Sequence, residues 1–154
     1  VAVGKIKEKY LTEGIREFAK RLGPLCKLEV VEIDEERMPD DPSPAEKEKV
    51  LAAEGERLLK KVPAATYLIV PDVAGQPASS EELAKKIAGL GTAGHGDITF
   101  LIGGAFGLSP AVIAAARERL SFSRMTFTHQ MIRLLLVEQI YRAFKIIRGE
   151  KYHW

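Results

Sequence analysis

Two stretches of this 154-residue chain carry residue types that can do chemistry. The first is Thr99–Pro110, TFLIGGAFGLSP. An apolar run ends in Gly103-Gly104, a third glycine follows at 107, and Ser109-Pro110 reads as a helix start. Glycines after a buried strand let backbone N–H and C=O groups approach a ligand with no Cβ between them. The spacing is not the G-x-G-x-x-G of dinucleotide sites, and the Gly-Lys-Ser/Thr of a phosphate loop is missing. An adenine or ribose read by main chain remains open, and so does a plain tight turn. The second stretch is SFSRMTFTHQMIRLLLVEQIYRAF, from Ser121. Glu138 stands there inside an apolar run, where a lone carboxylate is costly. Arg142 is one helical turn on and can pair with it. That pair reads either as a structural ion pair or as part of a charged site.

These residues need elements to hold them. The pattern predicts strands at Val1–Gly4, Lys27–Ile33, Tyr67–Val70 and Ile98–Ile102. Helices are predicted over Lys7–Leu22, from Ser43-Pro44 to about Lys61, from Ser80 through Leu90, from Ser109-Pro110 through Leu120, and over His129–Ile147 with Thr128 as cap. Ser121–Phe127 reads as a strand or an extended loop. Strands alternating with helices imply an α/β fold: a parallel sheet covered on both faces, in one domain over residues 1–154. Ligands of such sheets lie beyond the carboxyl ends of the strands. That singles out the loops Pro71–Gly75, Gly103–Gly107 and Ser121–Thr128. Leu134, Leu135, Val137, Ile140, Tyr141 and Phe144 make the last helix apolar over most of its surface, so it is buried or faces a second subunit.

Composition narrows the class. Hydrophobic residues are 46% and charged residues 29%, a globular balance. No stretch approaches the ~20 apolar residues of a membrane span, and no signal-peptide pattern is present. The single cysteine, Cys26, fits a reducing, cytoplasmic setting. No Cys/His cluster has metal-ligand spacing. VAVGKIKEKY has no initiator Met and reads as entering midway through a strand, which sets an expectation of residues upstream. Residues 117–154 hold eight Lys/Arg against three Asp/Glu, whereas residues 1–116 hold 15 against 18. A basic C-terminal quarter suits a polyanion, or is simply a solvated helix face.

LSFSRMTF, HQ, RLLLVEQIYRAF, RGE and YH, with VAVGKIKEKY and LIGG-GLS, closely resemble the SPOUT-class 23S rRNA pseudouridine N3-methyltransferase family, and the likeness covers essentially the full chain. The resemblance implies a C-terminal trefoil knot in the α/β fold, an obligate homodimer, and S-adenosylmethionine held by three knot loops. Carried onto this sequence, the cofactor contacts fall on Pro71, on Gly103 and Gly104, and on Ser123, Arg124, Met125, Thr126, Phe127 and Thr128. The implied reaction methylates N3 of a pseudouridine in 23S rRNA of the assembled large ribosomal subunit. Arg142, Tyr152 and His153 are expected at the reacting base, combining one subunit's knot with the other's tail. His153 is alternatively the proton acceptor. His129 is expected to shape the cofactor loop. Arg124, Arg133 and Lys145 are expected to contact phosphates.

Three departures from the family pattern stand out. Pro71 replaces a usual Leu, Thr128 a frequent Pro, and the tail reads Lys151-Tyr152-His153-Trp154 in place of Pro-Tyr-His and a basic residue. Trp154 offers a ring that can stack on a base. Pro71 and the tail are the only support for a rival reading, a noncatalytic ribosome- or RNA-binding scaffold. A structural dimer is a further rival. A small-molecule enzyme is disfavoured by the missing fingerprints.

Overall fold

In the computed structural model residues 1–152 are described, and His153 and Trp154 lie outside the described residues. Ten elements alternate along the chain: β1 (Ala2–Val3), α1 (Lys9–Leu22), β2 (Glu32–Ile33), α2 (Pro44–Leu59), β3 (Tyr67–Pro77), α3 (Ser80–Thr92), β4 (Ile98–Phe100), α4 (Pro110–Ala115), β5 (Glu118–Ser121) and α5 (Met131–Ile147). Every named strand pair is parallel. β1 pairs with β2, and β3 lies between β4 and β5. A parallel bridge from Ala2 to Ile102 joins the two groups, with Val3 N donating to Ile102 O at 3.1 Å. The order across the sheet is therefore β2-β1-β4-β3-β5.

Side-chain alternation decides what each face buries. Leu68 and Val70 point to one side with Val3, Leu101 and Val112, against α2 and α4. Ile69 points to the other side, toward α3 and α5. Ala2 and Ile102 share that second face with Leu22 of α1 and Leu136, Val137 and Ile140 of α5. Helices thus cover both faces, as the period-2 and period-3.6 patterns require.

Three elements differ from the sequence reading. The helix at Ser109 ends at Ala115, not Leu120. Ala116 turns extended, Arg117 N donates to Leu68 O at 2.9 Å, and Glu118–Ser121 joins β3 as an edge strand. Cross-strand pairing outweighs the helix propensity of Arg-Glu-Arg-Leu there. Only Glu32–Ile33 of Lys27–Ile33 is strand, because β1 offers just two residues to pair with. β3 in turn runs past Val70 to Pro77. Leu120 pairs with both Pro71 and Gln76, so Asp72–Gly75 bulges out of the ladder. A Cβ on Gly75 would sit 2.6 Å from the Arg119 backbone, which fixes glycine at the return point.

Caps place the helices. Ser43 with Glu46 and Ser79 with Glu82 form complete capping boxes. Buried Ser109 accepts from Val112 N at 3.3 Å, with Pro110 at the first helical position. Ser109→Ala is expected to lower unfolding free energy by about 1 kcal/mol in a urea titration.

Candidate active site

The carboxyl ends of β3, β4 and β5 open onto one cleft of about 730 Å³. All three loops singled out in the sequence reach it. Pro71, Gly103, Gly104, Ser123, Met125, Thr126, Phe127 and Thr128 line it. Arg124, the ninth residue of that set, is exposed and outside the lining, so the cofactor contact expected of it is not supported. A smaller cavity of about 340 Å³, between the start of α3 and α5, adjoins the cleft through Phe122 and Phe127.

The glycines have a reason inside the chain itself. A Cβ on Gly103 would lie 2.0 Å from Gly107 O, and Gly107 holds φ +85°. Gly104 and Gly107 form an antiparallel bridge, so this loop folds back on itself too tightly for a side chain. The close approach that the sequence suggested is therefore first an approach of backbone to backbone, and the cleft inherits its floor from it.

The other walls are also pinned. Asp72 Oδ2 accepts from Arg119 Nη2 at 2.7 Å and Nε at 3.0 Å, while Oδ1 accepts from Ala74 N at 3.0 Å. Ser123 Oγ accepts from Met125 N at 3.0 Å. α5 begins at Met131 with Gln130 as its N-cap, two residues later than the Thr128 cap and His129 start expected, and Thr128 Oγ1 accepts from Met131 N at 3.2 Å. Gln130 Oε1 accepts from Lys7 N at 3.1 Å and ties this loop to the segment before α1. Among the described residues, four of the seven exposed large hydrophobic ones, Tyr10, Val73, Met125 and Phe127, line the cleft, and Met125 is 71% exposed. Apolar side chains gathered at a concave site are the mark of a surface built to be covered.

His129 lies in the wall, with a buried Nε2 that has no hydrogen-bond partner and is 3.8 Å from Glu35 Oε1. Burial first, then the Arg133 charge, hold its pKa below the ordinary histidine value. Its imidazole is accordingly neutral at physiological pH.

Arg142 and Tyr152 come together elsewhere. Glu138 Oε1 accepts from Arg142 Nη2 at 2.7 Å and Nε at 3.0 Å, the ion pair the i,i+4 spacing predicts. The guanidinium lies over the Tyr152 ring, 4.6 Å from its centroid, and Tyr141 meets that ring edge-on at 5.0 Å. Tyr152 OH donates to Glu138 Oε1 at 3.4 Å. Burial and the Glu138 charge raise the Tyr152 pKa, so it stays a phenol and a donor. His153, the third residue expected here, and Trp154 lie outside the described residues. Ten residues of α5 separate Ile132, in the cleft wall, from Arg142, which is about 15 Å along the axis. One chain therefore brings the three strand-end loops together, and brings Arg142 to Tyr152, but holds the two groups apart.

The family model described as Predicted SPOUT methyltransferase matches residues 1–153. The chain belongs to the SPOUT methyltransferase family. Ribosomal RNA large subunit methyltransferase H of Halothermothrix orenii is 59% identical over 99% of this chain and 96% of its own. The proteins of that name from Carboxydothermus hydrogenoformans and Acetivibrio thermocellus are 54% and 50% identical over the same shares.

Two phosphate-contact expectations read differently in this SPOUT methyltransferase. Arg133 is 3% exposed and donates to Gly4 O at 2.9 Å, to Glu32 Oε1 at 3.1 Å and to Val3 O. A guanidinium so enclosed holds α5 to the ends of β1 and β2 and does not reach a surface phosphate. Lys145 Nζ pairs with Glu150, which already balances its charge. Arg124 keeps the exposure that a phosphate contact needs. Asp72 and Phe122 lie inside the Pro71–Gly75 and Ser121–Thr128 loops but are not among the contacts that the sequence names, and Glu54 lies outside all three loops.

Proposed function

We propose that this chain transfers a methyl group from S-adenosylmethionine to N3 of a pseudouridine in 23S rRNA of the assembled large ribosomal subunit. The convergence of three strand-end loops on one cleft carries the reading, and the name shared by relatives matched over 96% of their length supports it. The cleft fits the cofactor on three counts. Its volume is in the range of cofactor sites, roughly 300–1,000 Å³. Ile102, Phe122 and Phe127 offer apolar faces to a purine. The backbone of Gly103–Gly104 and the hydroxyls of Ser123, Thr126 and Thr128 offer hydrogen-bonding groups around it. Pro71, lacking an N–H, contributes its carbonyl and ring.

When bound, the cofactor supplies an electrophilic methyl on a sulfonium. The chain's own task is alignment, which can remove much of a barrier, and stabilisation of the base as N3 loses its proton. N3 lies between two carbonyls, so the charge that develops there spreads onto oxygens. Arg142 and the neutral Tyr152 hydroxyl are donors of the kind that stabilise such charge. Because about 15 Å of helix separates them from the cleft of their own chain, we assign them to the site of a second copy, in a homodimer. Exposed Met125, Phe127 and Tyr10 supply apolar surface for that copy to cover. The trefoil knot is part of the same reading and rests on membership of the family. No helix among the described residues is long and apolar enough to cross a membrane. Ribosomal RNA as substrate puts the work in the cytoplasm.

Titration with S-adenosylmethionine and S-adenosylhomocysteine, followed by transfer of labelled methyl to 70S ribosomes and to naked 23S rRNA, tests the reading. Saturable binding of both ligands and a ribosome-dependent N3-methylated pseudouridine are expected. A folded chain that binds neither ligand and labels nothing would return the noncatalytic scaffold.

A further inference from the structure

We propose that Glu54 is the positioning residue of the cleft: from behind the sheet, its carboxyl sets the Gly103–Gly107 loop in the shape that admits the cofactor. This rests on the reading of the cleft as a cofactor site. Glu54 is on the buried stripe of α2, one turn from Val50 and one from Leu58, and is 5% exposed. A carboxyl on such a stripe is costly unless it is used. Its Oε1 accepts from Glu36 N at 3.0 Å. Its Oε2 is buried with no hydrogen-bond partner and is aimed at Gly104, where an added Cβ would meet it at 2.7 Å. Val3 Cγ1 closes the other side of that space, 3.1 Å from the same Cβ position. Gly104 in turn lines the cleft and bridges to Gly107. The carboxyl is therefore bonded to the segment after β2 and packs against the loop after β4.

The charged groups around it leave it uncompensated. Glu35 and Glu36 face it from the segment after β2, and Arg57 from α2. Arg57 is engaged elsewhere: it pairs with the Glu36 carboxylate and donates to Asp34 O at 3.1 Å. Burial is the largest effect and raises the Glu54 pKa from the ordinary carboxylate value, with Glu35 and Glu36 adding to it against the Glu36 N–H bond and Arg57. The folded state consequently holds this proton more tightly than a free carboxyl does. Ionisation as pH rises puts a charge on Oε2, which packs against Gly104 with no hydrogen-bond donor. Cofactor affinity should be highest below the raised Glu54 pKa and fall as pH rises through it.

The test uses wild type, Glu54→Gln, Glu54→Ala, Gly104→Ala and the double variant Glu54→Ala/Gly104→Ala. Each is titrated with S-adenosylmethionine and S-adenosylhomocysteine from pH 5.5 to 8.5, and each is melted without ligand. Glu54→Gln keeps the shape and the bond to Glu36, and should bind like wild type at low pH but lose the fall in affinity at high pH. Glu54→Ala and Gly104→Ala should each weaken binding about tenfold while still folding. The double variant should recover most of that loss, because the new methyl fills the vacated space. Losses that simply add, or Glu54→Ala binding like wild type, would overturn the proposal. If Glu54→Ala does not fold, Glu54→Gln decides: an unchanged pH profile with unchanged amide shifts at Gly103, Gly104 and Gly107 would overturn it. Wild type that binds neither ligand would overturn the cofactor reading itself, and this one with it.

Discussion

Arg142→Ala is expected to lower methyl transfer by about 10²–10³-fold, the cost of removing one donor from a developing oxyanion, while leaving cofactor affinity unchanged. The separation of effects follows from position. The guanidinium is held by Glu138 and stacked over Tyr152, about 15 Å along α5 from the cleft wall, so truncating it disturbs no cleft residue of its own chain. A structural ion pair alone predicts something else: a small loss of stability, of the order of 0.5 kcal/mol for a partly exposed i,i+4 pair, and no specific loss of rate. Mixing decides whether the site is shared. Thr126→Trp fills the cleft from its exposed third loop and should abolish cofactor binding in its own chain. Random pairing of Arg142→Ala with Thr126→Trp chains leaves about a quarter of the sites intact, if each site takes its loops from one copy and its arginine from the other. Recovery to about that level would establish the shared site. No recovery would place Arg142 with the cleft of its own chain or outside the reaction.

The parts that the sequence exposed are those that local pattern controls. Serine-led caps at 43 and 109 marked two helix starts correctly, because each cap is made within three residues, whereas the third helix reads from Ser80 and its cap is the residue before, Ser79. Two of the loops were legible because apolar runs stop at Pro71 and Gly103, and a parallel sheet sends such ends to one side; the third, Ser121–Thr128, was legible only as the segment before the last helix. Arg117–Leu120 was not legible. Its residues favour helix, and only the distant ladder with β3 makes them strand. The same distance hid the reason for Gly103, since the obstacle is Gly107 O across a folded loop rather than anything adjacent. Glu54 did leave a signal: Val50, Glu54 and Leu58 share one helix face, and a carboxyl between two buried aliphatics asks for an explanation. Arg133 left none. In RLLLVEQIYRAF it reads as the polar edge of a basic helix, and its burial depends on Val3 and Gly4, some 130 residues away in sequence.

That burial makes Arg133→Met the variant with the largest expected effect on stability. The substitution keeps an unbranched side chain of similar length, so the loss is of hydrogen bonds rather than volume. Val3 O and Gly4 O would each lose a donor inside the protein, at roughly 1–3 kcal/mol apiece. Glu32 is 34% exposed at its side chain and can return to water, so its loss counts for less. The net cost is about 3 kcal/mol, which for a domain of this size lowers Tm by roughly 6–12 °C. A surface phosphate contact predicts the opposite pair of results. Removing one changes Tm little, and lowers the slope of ribosome binding against log salt by about one unit. Thermal melts and salt-dependent binding on the same samples separate the two. A large drop in Tm, with the salt slope of the folded protein unchanged, is expected. A wild-type melt with a reduced slope would return Arg133 to the RNA surface and show that the Val3 and Gly4 carbonyls are satisfied without it.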